Sequence, residues 1–212
     1  MAVTFYSASG SPYAWRVWLA LEHKHAAYEA KQLSFDAGDL KTPAYSAINP
    51  RNRVPALVDD GFALYESAAI VDYIEERFAG PSLYPSDLHG RATARRMIRE
   101  ADQYFAAAME HLVERVLFTP QPQWSPDAIA AARSELQAEY AFWEERAEGL
   151  FLLGEVSAAD YTLYPMLALV RRIGARVEGF DAAALAGPNL TAWLARMDAL
   201  PIVQRTWPPH WR

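Results

Sequence analysis

The chain contains no cysteine in 212 residues. That absence removes disulfides, thiolate nucleophiles and cysteine-based metal sites together, so any thiol chemistry must use a thiol that a ligand brings. Histidine is scarce as well, with five in the chain. His23 and His25 stand two apart on a helical run and point to different faces, while His89, His111 and His210 are isolated. Neither a metal site nor a Ser-His-Asp set is expected from that scatter. Long apolar runs are missing too, because charges interrupt them every few residues and none approaches the ~20 residues of a membrane-spanning helix. Basic residues are outnumbered by acids, 20 to 26, for a net charge of -6. Pairs such as Arg95-Arg96 and Arg171-Arg172 are interleaved with acids and read as solvated helix faces, so neither nucleic acid nor a membrane is an expected partner. Met1-Ala2-Val3-Thr4-Phe5-Tyr6 lacks the basic start and apolar stretch of a secretory signal, which makes a cytoplasmic location the expectation. Hydrophobic residues make up 52% of the chain. That is enough to build a sizeable core, as one large domain or two small ones.

The first eighty residues and the remainder differ in pattern. Val3 to Tyr6 is rich in β-formers and stops at Ser7-Ala8-Ser9-Gly10, after which Tyr13, Val17, Ala20 and Leu21 recur at helical spacing. Ala27 to Leu33 reads as a second strand and Asp39 to Ala47 as a short helical segment before Asn49-Pro50. Val54 to Val58 and Phe62 to Leu64 flank an Asp60-Gly61 turn, a strong hairpin signal. Ile70, Val71, Ile74 and Phe78 then mark an amphipathic helix. The order βαβ(α)ββα fits a small mixed sheet, parallel across its first crossover and antiparallel at the hairpin. Gly80 to Asp87 carries two prolines and a glycine and cannot continue a helix. We therefore divide the chain into an α/β domain at residues 1–80, a linker at 81–88 and an all-α domain at 89–212. Met97, Ala101, Tyr104, Phe105, Ala108 and Leu112 form one long apolar stripe ahead of Thr119-Pro120. A second helix runs from about Pro126 to Glu148, capped by Ser125. Leu163, Tyr164, Leu167 and Val170 mark a third, and Leu190 to Leu200 a fourth. Ser157-Ala158-Ala159-Asp160 has the spacing of a capping box heading the third.

The stretch Val54 to Ser67 packs three devices suited to holding a small peptide. These are a proline where a strand begins, an Asp-Asp-Gly turn, and an acid-hydroxyl pair opening a helix. Taken singly, each has a plainer reading: an edge-strand proline, a hairpin, and a helix cap with a first-turn acid. Together with Ser11-Pro12-Tyr13-Ala14-Trp15-Arg16-Val17, Asn49-Pro50, Gly154, the 157–160 box and Pro188-Asn189-Leu190-Thr191-Ala192-Trp193, they make a chain that resembles the cytosolic glutathione transferases along its whole length. The serine ahead of the first helix is similar to bacterial theta-like or zeta-like forms.

That resemblance implies a thioredoxin-like domain carrying the glutathione site, a helical domain supplying most of the hydrophobic substrate site, glutathione as co-substrate without a metal, a homodimer, and a role in detoxification. It implies a cis Val54-Pro55 bond that turns the Val54 main chain outward to pair with the cysteinyl part of glutathione like an added strand. Ser67 and the free N-H groups of its helix would receive the γ-Glu carboxylate, with Glu66 on the ammonium. Arg53 and Lys41 match positions that carry cations for the glycine carboxylate, while Leu40 stands where a polar contact is common. Asp102 matches a residue that in some classes crosses the dimer interface, though a plain surface acid is an equal reading. Ser11 is the first candidate for activating the thiol, followed by Ser9 and Tyr6. As an N-cap followed by Pro12, Ser11 also has a purely structural reading. Tyr13, Tyr104, Phe105, Met109 and Phe118 are the expected electrophile contacts, against the alternative that apolar residues at helical spacing are core. Two further readings stay open: a non-catalytic glutathione-binding or scaffold protein of the same fold, and a glutathione-dependent isomerase like the maleylacetoacetate isomerases. The serine-cysteine cluster of those isomerases is replaced here by Pro12-Tyr13-Ala14.

Overall fold

The computed structural model describes residues 3–211. Met1 and Ala2 of the N-terminal run and Arg212 of the C-terminal one lie outside the described residues. The chain divides into two compact units, Met1–Leu83 with Pro201–Arg212, and Tyr84–Leu200. The sequence pattern grouped residues 201–212 with the helical half, whereas their packing belongs to the first unit.

The first unit holds β1 (Val3–Ala8), α1 (Pro12–His23), β2 (Glu29–Leu33), a 3-10 turn (Asp39–Lys41), α2 (Pro43–Ser46), β3 (Ala56–Asp59), β4 (Phe62–Tyr65) and α3 (Ser67–Arg77). Its single sheet has the order β2-β1-β3-β4. As expected, β1 and β2 run parallel and the β3–β4 hairpin is antiparallel; β3 also pairs antiparallel with β1. At the hairpin Asp60 has φ 50° and Gly61 φ 86°, the two left-handed residues that a type I′ turn requires. The weak alternation in the second strand has a simple cause: β2 is an edge strand exposed along most of its length, so neither face is selected for apolarity. The helical segment expected over 39–47 splits at Thr42-Pro43, where the Thr42 hydroxyl accepts from the Tyr45 N-H at 3.3 Å and caps α2. The core lies between the sheet and helices α1 and α3, with Phe5, Val17, Leu19, Leu57, Ile70 and Ile74 all buried.

The second unit contains α4 (Leu88–Glu100), a π-helical turn (Ala101–Phe105), α5 (Ala106–Val116), α6 (Pro126–Glu144), α7 (Ala158–Gly174) and α8 (Pro188–Ala199). The long apolar stripe is therefore one helical rod interrupted by a π turn, which inserts a residue and shifts the register. Met97, Ala101, Phe105, Ala108 and Leu112 remain buried, while Tyr104, inside the π turn, is 55% exposed. Helix α8 begins two residues earlier than its apolar pattern because the Glu144 carboxylate accepts from the N-H groups of Asn189 at 2.8 Å and Leu190 at 2.9 Å. Among the described residues no helix is long and apolar enough to cross a membrane.

The 157–160 box heads α7 and reaches further than a local cap. Asp160 is fully buried and accepts from the Ser157 N-H and hydroxyl, each at 2.9 Å, from the Leu152 N-H at 3.0 Å and from the Trp193 indole at 2.8 Å. One carboxylate thus fixes the start of α7, the preceding loop and α8. Asp160→Ala leaves these donors buried without an acceptor, and unfolding by urea is expected to show a loss of at least about 3 kcal/mol. A loss under about 1 kcal/mol, the range of an ordinary helix cap, would sink this account of the box.

Candidate functional site

Register decides where the candidate residues meet. Tyr6 of β1 pairs with Ala56 of β3, and Ala56 pairs with Tyr65 of β4. The segment leaving β1 (Ser9 to Ser11), the one entering β3 (Val54-Pro55) and the one leaving β4 (Glu66-Ser67) therefore emerge from the same end of the sheet. Adjacent strands lie about 4.8 Å apart, so β1 and β4 are separated there by about 10 Å.

On the β1 side, Gly10 turns the chain with φ +85° and the Ser11 N-H donates to the Ala8 carbonyl at 3.2 Å. Ser11 is the N-cap of α1: its hydroxyl oxygen accepts from the Ala14 N-H at 3.2 Å, and Pro12 follows at the first helical position. The hydroxyl proton itself has no acceptor among the described residues. Ser9 differs, because its hydroxyl meets the Nδ1 of His210 at 2.5 Å. Tyr6 is half-buried on β1, packed on Tyr45 at 5.7 Å between ring centroids with Lys31 over its ring. Tyr13, on the first turn of α1, is half-buried and lies under the Arg16 guanidinium at 5.9 Å.

On the β3–β4 side the Val54-Pro55 bond is cis, as the resemblance implied. The sheet register begins only at Ala56, so the Val54 main chain stands outside the ladder. Asn49 holds this approach, its Nδ2 donating to the Arg53 carbonyl at 2.7 Å beside the Tyr45 hydroxyl at 2.6 Å. Glu66 adopts φ 73° and ψ 105°, a left-handed conformation that a side-chain-bearing residue rarely takes. Backbone outliers of this kind are retained where the surroundings hold them and cluster at ligand sites. The Glu66 carboxylate is exposed and has no ion-pair partner among the described residues, and the same holds for the exposed Arg53 and Lys41 side chains. Leu40 is buried and faces the protein.

Ser67 opens α3 as its first helical residue, not as its cap. Its hydroxyl accepts a hydrogen bond from the Nη2 of Arg16, and both side chains are buried. Arg16 was missed as a site residue. The available signal was a cation inside the apolar run Ala14-Trp15-Arg16-Val17, since a buried guanidinium demands acceptors. It places a fixed positive charge beside the N-terminus of α3, where the dipole already favours an anion.

In the second unit Asp102 and Tyr104 sit in the π turn, Asp102 half-buried and Tyr104 exposed, and Phe118 is 71% exposed just beyond α5. Phe105 and Met109 correct the sequence reading. Both are fully buried, Phe105 against Tyr140 at 5.8 Å, so they are core residues and not ligand contacts. Among the described residues no group of three or more metal-ligating side chains occurs.

Comparison with known proteins agrees with this arrangement. Residues 5–82 match the glutathione S-transferase N-terminal domain family, and residues 126–196 its C-terminal domain family. Glutathione S-transferase A of Pleuronectes platessa is 30% identical over 99% of this chain and 92% of its own length. Maleylacetoacetate isomerase of Mus musculus is 32% identical over 79% of this chain and 77% of its own. Among solved structures, a theta class glutathione S-transferase from Xanthomonas axonopodis pv. citri with glutathione bound superposes with a TM-score of 0.81 at 28% identity, covering 97% of this chain and 96% of that one. The chain belongs to the glutathione S-transferase family.

Proposed function

We propose that this protein activates the thiol of glutathione and transfers it to a hydrophobic electrophile, with Ser11 as the activating residue. The observation that carries the reading is the common sheet end at which Ser11, Val54-Pro55 and Glu66-Ser67 emerge. An extended tripeptide at about 3.4 Å per residue spans the ~10 Å between the ends of β1 and β4. Its γ-Glu carboxylate lies at the α3 N-terminus with Ser67 and Arg16 behind it, and Glu66 takes the ammonium. The Val54 main chain pairs with the cysteinyl unit, and Arg53 and Lys41 take the glycine carboxylate. The thiol then falls at the Ser11 end.

A free thiol titrates near ~8.5, so lowering it by about two units requires roughly 2.7 kcal/mol of selective thiolate stabilisation. A hydrogen bond to a charged group supplies about 1.5 to 3 kcal/mol and a helix N-terminus about 0.3 to 1. Ser11 offers both, and its proton is uncommitted. The Ser9 hydroxyl, by contrast, is already engaged with His210. The thiol proton leaves to solvent, the thiolate attacks the electrophilic carbon, and the leaving group departs with its electron pair. No bond to the enzyme forms.

The identity of Tyr13, Tyr104 and Phe118 as electrophile contacts, Asp102 as a contact across a homodimer, the cytoplasmic location and the detoxification role belong to the same proposal. The isomerase reading draws support from the mouse relative; turnover of a maleyl ketone with retained glutathione, in place of conjugation of an aryl halide, decides for it. Retention on glutathione resin with neither turnover favours the scaffold reading.

Ser11→Ala is expected to raise the pKa of bound glutathione by about one to two units and depress kcat by about ten- to a hundredfold. Titration of thiolate ultraviolet absorbance in the complex reads the first quantity directly, and an unchanged midpoint removes Ser11 from the mechanism. Glu66→Ala and Arg16→Met instead should weaken glutathione affinity by about tenfold, measured by calorimetry, while leaving the bound thiol's pKa within about half a unit. Intact affinity in both would overturn the placement of the γ-Glu end.

A further inference from the structure

The segment that follows α8 folds back onto the turn that carries Ser11. It forms α9 (Pro201–Thr206) and a 3-10 turn (Pro209–Trp211) within the first unit. The fully buried Thr206 accepts the Trp15 indole N-H at 2.8 Å. Two more indoles meet the Trp15 ring edge to face, Trp207 at 5.3 Å and Trp211 at 5.6 Å between centroids. Trp15 is one helical turn from Ser11, and its N-H donates to the Ser11 carbonyl at 3.0 Å. This fixes one side of the turn.

On the other side, His210 reaches the Ser9 hydroxyl. Its approach is close enough that a Cβ added at Gly10 would lie 2.8 Å from His210 Cε1 and 3.2 Å from Trp211 Nε1, so the space beside the glycine is filled by the tail. Pro208 and Pro209 precede it with fixed φ and line the same depression as Ser7, Ser9 and Ser11. The turn held in this way contains a glycine at φ +85°, the residue with most conformational freedom to lose. A hydrogen bond from Ser11 to a thiolate weakens steeply when the donor is misaimed, so the energy available to the thiol depends on how firmly that turn is held.

We infer that His210 is a positioning residue for thiol activation, acting through Ser9 and Gly10 to hold the turn that aims the Ser11 hydroxyl. The inference rests on the reading of Ser11 as the activating group. His210 is exposed, so its removal leaves the fold intact, and a thermal midpoint within about 2 °C of wild type is expected. His210→Ala should raise the pKa of bound glutathione by about half a unit to a unit and lower kcat about three- to tenfold, with KM for glutathione changing less than twofold. His210→Asn, which keeps a polar atom at the Nδ1 position, should recover most of both.

Ser9→Ala should shift the thiol pKa in the same direction as His210→Ala but by less, and the double variant should fall short of the sum of the two, because they share the Ser9–His210 bond. An unmoved thiol pKa in His210→Ala, or Ser9 and His210 effects that simply add, overturns the inference. Ser11→Ala, measured alongside, separates the two levels. If it shifts the pKa and His210→Ala does not, only the role of His210 falls. If Ser11→Ala shifts nothing, the Ser11 reading falls and takes the role of His210 with it.

Discussion

The rung formed by Tyr6, Ala56 and Tyr65 constrains everything that happens at this sheet end, because pairing register in a sheet is all or nothing. A slip of one residue in β3 would turn Ala56 and Val58 from one face to the other and move the Val54-Pro55 segment along the sheet relative to Ser11 and Glu66. Two local devices pin it. The Asp60-Gly61 turn fixes β3 against β4, and Asp59 at the end of β3 accepts from the Tyr73 hydroxyl and the Arg77 side chain, both at 2.7 Å, tying the strand to α3. The Tyr73 and Arg77 hydrogen bonds hold the Asp59 carboxyl below the usual carboxylate range, so this tie is charged throughout the physiological range. The hairpin and the helix that follows it thus set the distance between the two halves of the site before any ligand is present.

From that register follows a division between grip and reactivity. The β3–β4 side presents main chain, a strained acid and a helix N-terminus, which in the proposed pose hold the ligand without touching its thiol. The β1 side presents a serine cap. Arg16 links them physically, since it leaves α1 one turn after Ser11 and ends on Ser67. Its buried Nη2 donates to the Ser67 hydroxyl and so ties α1 to the start of α3. The same side chain therefore contributes both charge and geometry to the anion end.

Local chemistry was legible in the sequence, and long-range partnership was not. Asp60-Gly61, Ser125-Pro126 and the 157–160 box each specify a turn or a helix start within four residues, and each appears where the pattern put it. The π turn at Ala101–Phe105 was invisible because its residues keep helical spacing on either side, and one inserted position was enough to turn Tyr104 outward. Phe105 and Met109 were offered as ligand contacts although the same spacing equally described a core, and the core reading holds. Arg16 finds Ser67 51 residues away, and Ser9 finds His210 201 residues away. No periodicity encodes such pairs. Trp207 and Trp211 likewise find Trp15 across almost the whole length of the chain.

The absence of cysteine gives these hydroxyls their significance. A chain with no thiol of its own can do thiol chemistry only by lowering the pKa of a guest, and the guest's sulfur must then meet a donor whose proton is not already committed. Ser9, Ser11 and Tyr6 lie within six residues of one another, yet their surroundings separate them. Tyr6 is packed between Tyr45 and Lys31, and Ser9 is bonded to His210. Ser11 uses only its oxygen, as acceptor for the α1 cap, and so retains its proton for a ligand. In the proposed mechanism capping and thiol activation draw on different atoms of one hydroxyl group, so the structural role of Ser11 takes nothing away from the chemical one.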